Sequence, residues 1–423
     1  MKIFNMKKTL HALFLMAICL TQQVTAQNAL GCDGRRYFLD LFPNFTQTTV
    51  EYGRNMTWLG TVDPLYMDVF QPQGDTLSKR PTIVLAFGGG FVGGTRETMH
   101  DLAKTFVKKG YVTVAIDYRL YSIGILGFPD SAKMIPAILQ AMQDMKASVR
   151  FLRKDAATTN TFRIDPNNII AGGVSAGAIT ALLVGMLDST DAIPANMRAA
   201  IATQGGFEGN SGNPGYRSDV KGVLNMSGAL SLRSWLDAGD PPFVSFHGTA
   251  DDVVPYGYAP NVYRFYGFGS GELHAQALQV GIPSVLVTVQ GGGHGDIYLP
   301  TGPYAAQAAV FYNKATTFLQ RLVCGTTPLE TNELHIGSVQ NVHPNPAVGN
   351  QLTFDFTLKS TIADLNFEIV NHLGQLVQKT NGGTFGEGEN HYTLNLNDLP
   401  KGIYFARPIA AQGTLGTFKF LVP

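Results

Sequence analysis

Ser175 stands at the centre of Gly173-Val174-Ser175-Ala176-Gly177. A strand-like run, Asn168-Ile169-Ile170-Ala171, precedes it, and an apolar helical stretch, Ile179-Thr180-Ala181-Leu182-Leu183-Val184, follows. Few backbones satisfy that order. A chain that leaves a strand and enters a helix within a few residues must turn sharply, and small residues on both sides let the turn lift one side chain clear of the main chain. The five-residue pattern alone recurs by chance. Its strand-turn-helix setting is what makes Ser175 a candidate nucleophile.

From Tyr66 to about Val323 short apolar runs alternate with helical patterns, the signature of βαβ units and a mostly parallel sheet. Thr82 to Phe87, Val112 to Ile116, Gly222 to Met226, Phe243 to Phe246 and Ser284 to Val289 read as buried strands. Lys133 to Asp155 carries a helical apolar face through Ile138, Met142, Met145, Val149 and Leu152. A last helix begins at Pro303, where a missing N–H is tolerated, and runs to about Val323. After Cys324 the helical period vanishes. Leu352 to Phe356, Leu365 to Val370, Tyr392 to Leu396, Ile403 to Ala406 and Thr417 to Val422 alternate apolar with polar residues, which predicts a small β-sandwich. The expected organisation is a signal peptide at 1–26, an α/β catalytic domain at 27–324, a linker at 325–340 and a β-sandwich at 341–423.

The 31 basic and 31 acidic residues cancel, so nothing favours a nucleic-acid partner. Lys2, Lys7 and Lys8, then Leu10 to Leu20, then Val24-Thr25-Ala26 read as a secretory signal cleaved after Ala26. That apolar run is well short of the ~20 residues a membrane span needs, and no other segment approaches it. Cys19 leaves with the signal. Cys32 and Cys324 bracket the catalytic domain and, in an exported chain, suggest a disulfide, with two separate thiols as the alternative.

A serine needs a base, and the base needs an acid to orient it; on a strand-to-helix elbow they follow in the order Ser, Asp or Glu, His. Between Ser175 and the linker only His247, His274 and His294 are available. His274 lies in a helical stretch and reads as a surface residue, while His247 reads as ordering the loop after its strand. His294, in Gly291-Gly292-Gly293-His294-Gly295 just past a strand, is the candidate base. Asp251, in His247-Gly248-Thr249-Ala250-Asp251-Asp252, is the candidate acid, with Asp252 as the alternative. Each follows a strand, at the edge where open parallel sheets build their sites. Phe87-Gly88-Gly89-Gly90-Phe91 supplies a glycine loop whose amides can face an oxyanion; Gly89 and Gly90, with Ala176, are the expected donors. No Gly-Lys-Ser/Thr follows that loop, which argues against nucleotide, and no metal or other cofactor is expected. Phe91, Phe207 and Tyr256 flank these motifs as candidate pocket residues, and Gly205 to Tyr216 reads as a mobile loop near the site.

These residues resemble the α/β-hydrolase superfamily, in its esterase and lipase branch with a His-Gly-Gly-Gly-type loop. Met67 to Pro72, Asp117-Tyr118-Arg119-Leu120, Ala147 to Leu152 and Asp165-Pro166-Asn167-Asn168 add to the likeness, which covers roughly residues 60 to 323. Phe87 replaces the histidine that relatives carry and that orients the loop there. The resemblance implies a serine carboxylesterase acting through an acyl-enzyme on small to medium esters. A polysaccharide acetyl or feruloyl esterase, a serine exopeptidase and a non-catalytic recognition protein on the same scaffold are the alternatives. Val342-His343-Pro344-Asn345-Pro346, Asn371-His372-Leu373-Gly374-Gln375 and Asp398 to Tyr404 resemble the type A sorting domain of the type IX secretion system. That implies passage to the cell surface or medium with the secretion machinery as partner.

Overall fold

The computed structural model describes residues 30–299, 301–325, 336–371, 376–397, 399–410 and 413–423. The predicted signal peptide, residues 326–335 of the expected linker, and His372 to Gln375 and Asp398 of the sorting motifs lie outside the described residues. The chain divides into two compact units, Met1–Thr331 and Asn332–Pro423.

In chain order the first unit contributes strands β1 (Phe45–Met56), β2 (Val62–Pro72), β3 (Arg80–Ala86), β4 (Val112–Ile116), β5 (Ile164–Val174), β6 (Gly222–Met226), β7 (Ala229–Leu230), β8 (Phe243–Gly248), β9 (Tyr258–Pro260), β10 (Tyr266–Gly269) and β11 (Ser284–Val289). Eight of them form one sheet in the order β1-β2-β4-β3-β5-β6-β8-β11. From β4 to β11 every pairing is parallel, and β1 and β2 close one edge as an antiparallel pair. All residues of β3, β4 and β6 are buried. That explains their continuous apolar runs, since a parallel strand is covered on both faces. This is the mixed sheet of an α/β-hydrolase core.

The helix Ser131–Ala157 starts where Asp130 accepts the Lys133 N–H, at 3.0 Å, so an orphan donor of the first turn is satisfied. It packs on β5 and on the helix Ala176–Met186, which in turn packs on β5 and β6. Polar and charged side chains of the helix Ser131–Ala157 tie down what the sequence suggests is a mobile loop. Ser211 hydrogen-bonds Asp144, Gln143 donates to the Gly206 carbonyl at 2.7 Å, and Arg150 donates to the Gly212 carbonyl at 2.9 Å. Gly205 to Tyr216 is therefore strapped along that helix. His274 also differs from expectation: it is buried, with Nδ1 2.6 Å from the Ser284 hydroxyl. Its helix, Ser270–Val280, turns this face toward β11 rather than toward water.

Cys32 and Cys324 are joined, closing a loop with a sequence separation of 292. A cross-link over so long a loop acts mainly by restricting the unfolded chain, and losing one destabilises a secreted domain by about 3 kcal/mol. Cys324→Ser should lower the melting temperature by roughly 5–10 °C, and reduced wild-type protein should melt with it. Identical melting of oxidised and reduced wild type would show that the bond carries no stability.

The second unit is all β: β12 (Gly337–Val348), β13 (Gln351–Leu358), β14 (Asn366–Asn371), β15 (Leu376–Asn381), β16 (Gly388–Asn395), β17 (Gly402–Ala410), β18 (Gly413–Thr414) and β19 (Phe418–Val422). One sheet runs β12-β13-β16, and the other runs β15-β14-β17-β18 with β19 also on β17. Leu352, Phe354 and Phe356 of β13, Phe367 and Ile369 of β14, Leu394 and Phe420 are all buried in one core. Their every-other spacing is the alternation visible in the sequence. Among the described residues no helix is long and apolar enough to cross a membrane.

Candidate active site

Ser175 joins β5 to the helix Ala176–Met186 with a backbone at φ 56°, ψ −118°, a conformation that a non-glycine residue adopts only when its surroundings enforce it. The enforcement is close packing. A Cβ at Gly173 or Gly177 would run into the Ala86 carbonyl, so only glycine lets the elbow press against the end of β3. The Ser175 N–H donates to the Met226 carbonyl at 2.8 Å, pinning the turn to β6. Ser175 as a whole is 7% accessible.

The loop after β11 brings His294 over this turn, with Nε2 2.8 Å from Ser175 Oγ. Nδ1 lies 2.7 Å from Asp251 Oδ2. A carboxylate accepts only, so Nδ1 carries the proton and Nε2 is left as the acceptor for the serine O–H. The Asp251 Oδ1 atom accepts the N–H groups of Val253 at 3.0 Å and Val254 at 2.8 Å. Burial alone would raise this carboxyl. Hydrogen bonds from His247, His294 and the Val254 N–H outweigh it and hold the group well below the usual carboxylate range. Asp252 is exposed and takes no part in these contacts.

His247 is fully buried behind the acid. Its Nε2 lies 3.0 Å from the Val254 carbonyl and 3.2 Å from Asp251 Oδ2, while Nδ1 is 2.7 Å from the Ser270 hydroxyl. Ser270 in turn accepts from Asn225 Nδ2 at 3.0 Å. The histidine therefore orders the loop, and it does so partly through the carboxylate itself.

The glycine loop after β3 reaches the same place: a Cβ added to Gly88 would stand 3.2 Å from the Ser175 Cβ. Gly89 and Gly90 adopt φ of 119° and 62°, and neither N–H finds an acceptor among the described residues. The Ala176 N–H, first in its helix, finds none either. Three unpaired amides beside a serine hydroxyl can accept a developing negative oxygen.

The three aromatic candidates sit in different local surroundings. Phe91 is buried, at φ 65°, with its ring edge-on to Tyr118 at 6.3 Å. Tyr256 hydrogen-bonds Thr288 at 2.8 Å and packs edge-on to His247, behind the acid. Phe207 belongs to the loop strapped along the helix Ser131–Ala157. Tyr118 and Tyr263, which sequence reasoning passed over, hydrogen-bond the glycine loop instead. Tyr118 did carry a signal, since it lies just past β4 at the same edge of the sheet. A cleft of about 750 Å³ lined by Lys146, Glu208, Arg217 and Asp240 also touches Val184, Gly185 and Leu187, at the end of the serine helix remote from Ser175. None of the relay residues lines it.

Comparison with known proteins agrees with this architecture. Residues 67–232 match the BD-FAE family, and residues 341–422 match the secretion system C-terminal sorting domain. Among similar proteins are fumonisin B1 esterase of Sphingopyxis macrogoltabida, 29% identical over 119 residues, and esterase B1 of Culex pipiens, 28% identical over 120. These alignments cover 27% and 28% of the chain, and the chain spans only 22% of the length of either relative. Among solved structures, Thermogutta terrifontis esterase 2 in its apo form aligns with 64% of this chain and 93% of its own, at 21% identity and a TM-score of 0.47. The sorting domain marks a protein that is secreted or held at the cell surface. On this sheet and these matches, the chain carries an α/β-hydrolase fold whose residues 67–232 match the BD-FAE family, followed by a secretion sorting domain over residues 341–422.

Proposed function

We propose that the chain is a serine carboxylic-ester hydrolase working through an acyl-enzyme on small to medium esters. The observation that carries this reading is His294, held between Ser175 at 2.8 Å and Asp251 at 2.7 Å. In the first half-reaction Ser175 Oγ adds to the ester carbonyl carbon while His294 Nε2 takes its proton. The carbonyl oxygen becomes an oxyanion facing the amides of Gly89, Gly90 and Ala176, in a loop of the Gly-Gly-Gly type. When the tetrahedral species collapses, the C–O bond to the alcohol breaks and His294 returns the proton to the departing oxygen. Water then repeats the sequence, with its proton passing to His294, and releases the acid. Asp251 stays ionised throughout and stabilises the imidazolium. The His294 side chain is 20% exposed, so solvent water reaches the base directly.

A chromogenic ester series with graded acyl lengths, extended to acetylated and feruloylated sugars and to aminoacyl amides, tests the reading. Saturable turnover of the shorter esters with little amide cleavage is expected. Cleavage of amides alone would move the protein to the exopeptidase alternative, and no turnover of any of them would favour a recognition protein.

Residues 1–26 are proposed as the signal peptide, 27–324 as the catalytic domain, and 325–340 as the linker. Residues 341–423 would be the part engaged by the secretion machinery. A chain truncated after residue 340 should retain full esterase activity in a cell lysate and be missing from the medium and cell surface. Undiminished activity outside the cell would remove the sorting role from this segment.

A further inference from the structure

The glycine loop is held by its carbonyls. The Phe87 carbonyl accepts the Tyr118 hydroxyl at 2.9 Å, and that of Gly89 accepts the N–H groups of Val92 and Gly93, both at 3.1 Å. The Gly90 carbonyl accepts the Tyr263 hydroxyl at 2.9 Å, and the Phe91 carbonyl accepts the Tyr121 N–H at 2.8 Å. The N–H groups of Gly89 and Gly90 stay unpaired among the described residues. A trans peptide points its carbonyl opposite to the N–H of the following residue, so the Gly89 carbonyl, drawn to Val92 and Gly93, turns the Gly90 N–H the other way, and the Gly90 carbonyl, drawn to Tyr263, fixes the plane on the far side of Gly90.

Within this arrangement Gly90 is the least self-confined residue. It has no Cβ to restrict its dihedrals, and a Cβ there would collide with the Tyr263 hydroxyl. The peptide plane before Gly90 is fixed by the loop's own Val92 and Gly93 hydrogen bonds. The plane after it is fixed by Tyr263, a residue 173 positions away. Phe91, at φ 65°, then continues a left-handed course that a side-chain-bearing residue keeps only when held. The Phe87 ring has no polar atom with which to hydrogen-bond the loop, and it stacks on Tyr118 at 4.2 Å.

Tyr263 is itself locked in place. Asn261 Oδ1 accepts the N–H of Tyr263 at 2.9 Å and of Phe265 at 3.1 Å, and the Val262 N–H donates to the Val253 carbonyl at 3.2 Å. That last bond returns to the segment that carries Asp251. Burial pushes the Tyr263 phenol above its usual value, so the hydroxyl remains a donor across the working range.

We propose that Tyr263 is a positioning residue for the oxyanion hole, bracing Gly90 from the same excursion that supplies the acid. The inference rests on the hydrolase reading above. Tyr263→Phe removes the hydroxyl and keeps the ring. Loss of a complete oxyanion donor lowers kcat by ~10²–10³, so a donor left in place but unbraced should lower it by roughly 10-fold, with KM within about 2-fold of wild type. An aryl trifluoromethyl ketone, whose carbonyl takes up Ser175 as an oxyanion-bearing hemiketal, should bind about 10-fold more weakly. A residue that only stabilised the fold would not move that ratio of inhibitor to substrate binding. Competent serines are counted by titration with an organophosphate, so unfolded material does not enter kcat. Asn261→Ala should lower kcat in wild type but add nothing in the Tyr263→Phe background. A Tyr263→Phe enzyme with wild-type kcat, or one that loses kcat with no loss of ketone affinity, overturns the proposal while leaving the hydrolase reading intact. Activity surviving in Ser175→Ala would instead overturn the hydrolase reading.

Discussion

Ser175→Ala should lower kcat by on the order of 10⁵–10⁶, to the residual rate that positioning and the oxyanion loop provide without a nucleophile. The fold gives the reason to expect loss of chemistry without loss of structure. The elbow is enforced by Gly173, Gly177 and the Ser175 N–H bond to Met226, none of which involves the hydroxyl. The melting temperature should therefore stay within about 2 °C of wild type, as expected for removal of one oxygen from a site 7% accessible. Steady-state kinetics beside a thermal melt checks both halves. Esterase activity retained in the variant would mean that another group attacks the ester.

Asp251→Asn should cost about 10⁴ in kcat. The amide keeps the shape of the carboxylate but can offer a donor where His294 also donates, which favours the tautomer with no free Nε2 acceptor. The same substitution has a signature in stability. Asp251 is held below the usual carboxylate range, so in wild type its contribution to stability is present above the unfolded value, ~4, and fades as pH falls through the folded value. Between pH 6 and pH 3 the melting temperature of wild type should fall more steeply than that of Asp251→Asn. Parallel curves would mean that the hydrogen bonds from His247, His294 and Val254 do not favour the ionised carboxyl.

Ser175, His294 and Asp251 were picked from the sequence because each follows a strand of the parallel sheet, whose ends all turn toward one edge, and the structure places His294 within hydrogen-bond distance of both Ser175 and Asp251. The glycine loop was legible for the same reason. The choice between Asp251 and Asp252 came down to one residue of loop position, and the structure separates them by the N–H groups of Val253 and Val254 that face only the first. Tyr263 was not legible, because a hydroxyl bonded to a backbone carbonyl 173 residues away leaves no period and no local motif. Tyr256 and Phe207 were picked for their nearness along the chain. They stand close to the motifs along the chain, but the segment after Asp251 folds Tyr256 onto His247, and charged residues of a helix hold the Phe207 loop. β12 escaped because Pro344 and Pro346 interrupt its alternation, and the strand takes up the interruption as a register shift between His343 and Val348.

The bond between Cys32 and Cys324 closes residues 32–324 into a covalent ring, and the peptide bonds beyond Cys324, those of the sorting domain included, are not part of it. Any protease that clips the tail after export, at whatever peptide bond beyond that cysteine, leaves the ring uncut. A cut at any of those bonds leaves one and the same closed segment, residues 32–324.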